Sequence, residues 1–251
     1  GLSLVNTNTA PYVGWAWDAG SSTVTNSVGS FDSQVRDNQT AGFSIVKANI
    51  GSGNVGHGLN AVPSLIFTKS LNTGNWIVHG NVFSSPASNY LVLNSTDSVF
   101  TNTSAFNNTA PTSSTFNFNA IHFYGGNRDC VSYCFAPVEG YSAFGSYVGS
   151  GNSDGPFVYA GFRPRFILVK ALSTVSYGNW VMHDTARSAH NVSTTNLYAN
   201  RSNPEDTSYW FDLLSNGFKV RSNAFDGTNG WMSNYLYAAF AEHPLNSARA
   251  R

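Results

Sequence analysis

The chain of 251 residues carries 13 basic and 13 acidic side chains, has no net charge, and is only 10% charged but 41% hydrophobic and 14% aromatic. An ordinary soluble domain is about 25% charged. A neutral chain without basic clusters lacks the counterion-displacing surface of a nucleic-acid binder, no apolar run approaches the ~20 residues of a membrane-inserted helix, and the aromatic content is too high for a disordered polymer.

In chain order, the first stretch lacks the basic and apolar regions of a signal peptide. Tyr12-Val13-Gly14-Trp15-Ala16-Trp17 reads as the last strand of a preceding unit, because it echoes Cys130-Val131-Ser132-Tyr133-Cys134-Phe135. Residues 18–41 read as a polar connector, so the chain is expected to be the tail end of a longer polypeptide. From there the hydrophobic period is two, not 3.6. Strands are predicted over 43–49, 64–69, 75–80, 90–94, 115–119 and 129–136, separated by Gly, Asn, Ser and Pro clusters that supply turns. A second set follows over 144–149, 165–170, 179–184, 196–200, 209–214, 217–221 and 236–241.

The two sets align. Pro63-Ser64-Leu65-Ile66-Phe67-Thr68-Lys69 matches Pro164-Arg165-Phe166-Ile167-Leu168-Val169-Lys170, and Gly74-Asn75-Trp76-Ile77-Val78-His79 matches Gly178-Asn179-Trp180-Val181-Met182-His183. Leu91–Asn94 and Tyr133–Ala136 recur as Leu197–Asn200 and Ala238–Ala241, all in one order at separations of 101–106 residues. That period is too long for a solenoid and suits β-sandwiches of about 100 residues. The expected fold is therefore all-β: two tandem antiparallel, jelly-roll-like β-sandwich repeats (42–141 and 142–251) preceded by an extended N-terminal segment (1–41).

A family resemblance rests on Trp15-Ala16-Trp17-Asp18-Ala19-Gly20, Gly42-Phe43-Ser44-Ile45-Val46, Gly56-His57-Gly58-Leu59 and Tyr133-Cys134-Phe135-Ala136-Pro137-Val138-Glu139-Gly140-Tyr141. The second repeat adds Asp154-Gly155-Pro156-Phe157-Val158, Asp184-Thr185-Ala186-Arg187, Leu214-Ser215-Asn216-Gly217-Phe218-Lys219 and Ala238-Ala239-Phe240-Ala241-Glu242. Over residues 10 to 251 the chain resembles the C-terminal region of large virion proteins of tailed, often marine, bacteriophages. These are tail fibre or structural proteins that frequently carry a concanavalin A-like lectin domain upstream. The resemblance implies a location on the exterior of the particle after synthesis in the bacterial cytoplasm, contacts with other virion proteins, and adhesion to a host surface glycan. By analogy with other fibres it also implies a homotrimer. It implies no catalytic residues. A capsid decoration protein and a polysaccharide depolymerase are the competing expectations.

The chemical motifs are weak. Gly51-Ser52-Gly53-Asn54-Val55-Gly56 matches a dinucleotide fingerprint in spacing but no helix follows it, so it reads as a glycine-rich turn. Neighbouring strand residues such as His183 and Asp184 point to opposite faces and make a poor catalytic pair. Glu139 and Glu242 close equivalent strands of different repeats, which argues against a shared carboxylate site. Cys130 and Cys134 are four apart on one strand, too far to bridge, and read as buried small hydrophobes. Asp154 and Asp226 are conceivable calcium ligands but equally turn residues. No metal or cofactor is expected. Arg163 and Arg165, absent from the first repeat, read as a subunit contact or another surface interaction, and Arg249 and Arg251 at the end as a free tail or an intersubunit clasp. The expected ligand-binding set is Trp231 with Asn229 and Asn234 in one loop, and His190 and Tyr177 in others, because sugars are held by aromatic faces beside amide hydrogen-bonders.

Overall fold

The computed structural model describes residues 11–222 and 227–242. The first half contains β1 (Val24–Asn26), β2 (Ser33–Asn38), β3 (Phe43–Ile50), β4 (Ser52–Gly56), β5 (Leu65–Ser70), β6 (Ile77–His79), β7 (Asn89–Val92), β8 (Phe100–Thr101), β9 (Thr115–Asn119), a five-residue helix α1 (Ala120–Tyr124) and β10 (Arg128–Phe135). The second half contains β11 (Ser142–Val148), β12 (Phe157–Tyr159), β13 (Pro164–Ala171), β14 (Trp180–Asp184), β15 (Leu197–Tyr198), β16 (Phe211–Leu214), β17 (Gly217–Val220) and β18 (Asn234–Ala241).

These strands form two lopsided sandwiches. In the first, the broad sheet runs β1-β2-β3-β10-β5-β6-β7-β8 and is covered by the pair β4-β9. In the second, the broad sheet runs β11-β18-β13-β14-β15 and is covered by β12-β17-β16. The central order is the same in both, with the last strand inserted between the first and the third. Register agrees too: Phe135 lies between Phe43 and Leu65, and Phe240 between Ser142 and Phe166. A side-chain motif repeats with it. Asn94 accepts from the Trp76 N–H (2.9 Å) and donates to Asn75 (2.9 Å); Asn200 accepts from the Trp180 N–H (2.9 Å) and donates to Asn179 (3.0 Å).

Two expectations are corrected. Residues 18–41 are not merely a connector, because β1 and β2 lie within them and extend the first broad sheet beyond β3. The glycine-rich stretch at 51–56 is not a turn but strand β4. Its glycines serve close approach: a Cβ on Gly53 would fall 2.9 Å from the Phe31 ring, and one on Gly56 would meet the Val28 carbonyl at 2.8 Å. Removing those side chains lets the β1–β2 connection cross directly over the strand.

The central strands of each broad sheet are buried on both faces, which explains the long apolar runs of β13 and β18. Val46, Ile66, Cys130, Cys134, Phe116 and Phe118 belong to the core of the first sandwich; Ile167, Val169, Val181, Tyr235 and Ala239 belong to that of the second. Both cysteines are free thiols. The alternate residues form a third core between the sandwiches, in which Phe43, Leu65, Val78 and Leu91 meet Phe166, Leu168, Trp180 and Leu236. The period-two pattern thus separates one apolar face from another, not apolar from polar.

The joint between the sheets is asymmetric. Trp180 is fully buried and donates its indole N–H to the Val92 carbonyl (3.0 Å). Lys170 is also fully buried, and its Nζ donates to the carbonyls of Asp97 (2.7 Å) and Thr96 (3.3 Å). Burial pushes its pKa down to about 8, with Asp97 opposing. Their counterparts make no such crossing: Lys69 bonds to Ser70 and Thr73 of its own loop, and Trp76 is half-buried. Beyond the joint the sheets part around an apolar cleft of about 430 Å³. Residues 11–20, where Tyr12–Trp17 was expected to be a strand, have no regular structure and instead place Trp15 and Trp17 along this cleft, Trp17 meeting Phe135, Phe166 and Phe240 edge-on at 5.3–6.0 Å.

Trp180→Phe removes the crossing hydrogen bond and leaves a void, and is expected to destabilise by roughly 1–3 kcal/mol. Trp76→Phe, at the equivalent half-buried place, is expected to cost under about 1 kcal/mol. Urea denaturation of the two variants measures the difference.

Candidate functional site

Strand register sorts the predicted binding residues to two ends of the second sandwich. Lys170 pairs with Trp180 and Ala171 with Tyr235, so Tyr177, Trp231 and Asn234 sit at the end of the broad sheet that also holds Val148. His190 follows β14, beyond Asp184, whose partner is Phe166 at the other end. The length of β14 alone puts about 13 Å between the two ends. His190 is exposed there and joins none of the others.

The first end is built on Asn229. This side chain is 0% exposed; its amide donates to the carbonyls of Asn152 (2.6 Å) and Ser222 (2.7 Å), and its oxygen accepts from the Ser150 N–H (2.9 Å). It therefore ties three segments together and has nothing left for a ligand, which corrects its assignment as a binding group. Around it, the Gly149 N–H donates to the Ser233 carbonyl (2.8 Å), the Met232 N–H to the Gly149 carbonyl (3.0 Å) and the Gly151 N–H to the Asn229 carbonyl (2.9 Å). Tyr235, stacked on Tyr147 at 5.1 Å, accepts from the Gly230 N–H (2.6 Å).

On this rigid base Trp231 is 72% exposed and Met232 71%. Met232 adopts the left-handed region (φ 53°), which costs a residue with a Cβ of order 1 kcal/mol. Val148 is exposed beside them, at the foot of the Gly149 hydrogen bonds. Asn234 is exposed and pairs with Val148, while its carbonyl accepts from the Leu172 N–H (2.8 Å). Tyr177 is exposed as well, and its loop leans on the second one: a Cβ at Gly227 would collide with the Tyr177 carbonyl. Trp231, Asn234 and Tyr177 thus share one end. Met232 and Val148 are surface groups that the sequence reading missed. Two consecutive large apolar residues inside a Gly–Ser turn, Trp231-Met232, are the signal that marks Met232.

Several other titratable groups are held in structural roles. His79 and His183 occupy equivalent core positions. His79 stacks on Phe106 at 4.4 Å with neither ring nitrogen partnered, and His183 reaches only Ser193 (3.2 Å). Burial pushes both imidazoles down to about 3. Asp184 lies on the other face from His183; it accepts from the N–H groups of Ala186 (3.0 Å) and Arg187 (2.9 Å) and pairs with the Arg187 guanidinium (2.7 Å), which also meets Glu205 (2.9 Å). Arg163 and Arg165 both reach Glu242 of their own chain, at 3.1 and 3.8 Å. The Asp154 carboxylate pairs with Lys219 and Arg221, and the Lys219 hydrogen bond holds its pKa below the usual range. Asp226, Arg249 and Arg251 lie outside the described residues. Among the described residues no three His, Cys, Asp or Glu side chains converge as a metal site.

A family model described as a domain of unknown function, DUF7483, matches residues 2–244. The chain belongs to the DUF7483 family. The match takes in both sandwiches and the segment before them, so the DUF7483 unit is the tandem pair, not one repeat. No curated protein and no solved structure matches the chain.

Beside the buried His57, whose pKa burial also lowers, His79 and His183 contribute to the acid response. With a folded pKa of about 3 against 6.5 in the unfolded chain, each contributes stability that is complete above pH 6.5 and is lost as pH falls towards 3. At pH 5 the loss is roughly 2 kcal/mol per histidine. His79→Phe is expected to remove the share of His79, roughly 2 kcal/mol at pH 5, and, by deleting two unpartnered nitrogens, to hold or raise stability at pH 7. Urea denaturation at pH 5 and pH 7 measures both effects.

Proposed function

We propose that this chain is a structural part of a bacteriophage particle, a distal tail fibre or equivalent appendage, and that it adheres to a host surface glycan without catalysis. In this reading the chain works as a homotrimer on the exterior of the virion, attached to other virion proteins. The placement comes from the sequence resemblance. The observation that supports adhesion is the display of Trp231 and Met232 on a loop pinned by the buried Asn229.

Exposing two large apolar side chains costs solubility, and holding Met232 at positive φ costs backbone energy. A rigid aromatic face gives a sugar ring a stacking platform at small entropic cost. Asn234 and Tyr177 supply an amide and a phenol at the same end for the hydroxyls. The neutral surface also fits: a chain with 10% charged residues binds uncharged polar polymers without relying on salt-sensitive ion pairs.

The test is binding of the fluorescently labelled chain to a glycan array and to intact bacteria. Trp231→Ala is expected to lower affinity about tenfold or more while leaving circular dichroism and the melting temperature unchanged. Equal binding by parent and variant would remove the site, and release of reducing sugar from a bound polysaccharide would replace adhesion by depolymerisation.

A further inference from the structure

We propose that the cleft between the two broad sheets binds a single-chain amphiphile, a free fatty acid or fatty alcohol of about twelve carbons. The cleft lies apart from the exposed end loops and does not depend on the adhesion reading. Three separate parts of the chain form its walls: Phe67 and Tyr133 from the first sheet, Phe144 and Met182 from the second, and Trp15 and Trp17 from the N-terminal segment.

Its size and chemistry select the ligand. A volume of about 430 Å³ falls within the usual range of small-molecule sites. At ~30 Å³ for a water-sized group it has room for about fourteen non-hydrogen atoms, the number in dodecanoic acid. The walls are aromatic and aliphatic throughout, so a sugar placed there would leave its hydroxyls unpaired. An aliphatic chain loses nothing of that kind. The carboxyl or hydroxyl end of the ligand stays at the open mouth of the cleft, in water, while the chain lies along the apolar walls.

The joint explains why the cleft persists. Trp180 and Lys170 hold the sheets together on one side, whereas Trp76 and Lys69, their counterparts, do not cross. The third wall is fixed at both ends of its short span. The Arg187 guanidinium, itself held by Asp184 and Glu205, lies over the Trp15 ring at 5.7 Å, and Arg36 donates to the Gly20 carbonyl (2.8 Å). Trp15 and Trp17 are thereby kept over the opening without filling it.

The test titrates the full chain with dodecanoic acid and dodecanol below their aggregation concentrations. Intrinsic tryptophan fluorescence reports occupancy, since Trp15, Trp17 and Trp76 all line the cleft, and native mass spectrometry counts the ligands. One ligand per chain with saturable binding is expected. Ala199→Trp, at an exposed position on the rim, is expected to abolish binding while the melting temperature of the ligand-free chain is kept; Ile45→Trp from the opposite sheet serves if that variant does not fold. The proposal is overturned by an absence of saturable binding, by binding that Ala199→Trp and Ile45→Trp leave intact, by binding to phosphatidylcholine vesicles alone, or by self-association that shields the tryptophans without ligand.

Discussion

The structure depends on one contact, the docking of Trp180 and Lys170 of the second sheet onto the backbone of the first. A β-sheet that is apolar on both faces cannot stand alone in water. Each sandwich covers one face of its broad sheet with a small sheet and leaves the other bare. The bare faces cover one another, but aromatic side chains on two twisted sheets do not mesh over their whole area. The indole hydrogen bond to Val92 and the ammonium bonds to Thr96 and Asp97 fix where they meet. Lys170 loses hydration by this burial, as its lowered pKa records, and recovers part of that cost in two carbonyl bonds. Beyond that contact the sheets meet through aromatic rings such as Phe135 and Phe240 (5.7 Å), which leave the cleft open and give Trp15 and Trp17 their seat.

The same contact breaks the equivalence of the repeats. Trp76 and Trp180 share the asparagine motif that positions their backbones, yet one ends half-buried beside the cleft and the other is fully enclosed. Duplicated residues have therefore taken different work according to which neighbour they face. The end loops show the complementary case. Asn229 and Trp231 are two residues apart, one wholly enclosed by hydrogen bonds and the other wholly displayed, and the first is what holds the second in place.

Much of this was legible in the residues. Period-two patterning and four aligned blocks located most of the strands, though not β8 or β12, and predicted the antiparallel repeat, because each block carries the apolar alternation and turn residues of a strand with its own caps. The burial of Cys130 and Cys134 was legible from their spacing on one strand. β4 was not, since its glycines mimic a turn and are explained only by the chain that crosses above them at Phe31 and Val28. β1 and β2 were not, since Val24–Asn26 and Ser33–Asn38 are largely polar edge strands with little apolar signal. Loop composition singled out Trp231, Asn234 and Tyr177, which the structure exposes at one end, but an exposed asparagine and an enclosed one look alike in a sequence, so Asn229 was misassigned, and His190 was grouped with residues at the far end of the sheet.

The sequence by itself determined the class of fold, the duplication and the neutral, aromatic character of the molecule, because these follow from alternation, turn chemistry and composition, all of which are local. Only the tertiary structure decided which apolar face of each broad sheet meets its own cover and which meets the other repeat. A strand buried on both sides carries no mark that tells its two faces apart. That choice is made by long-range contacts, above all by Trp180 reaching Val92, and with it came the cleft and the partition of equivalent residues between them.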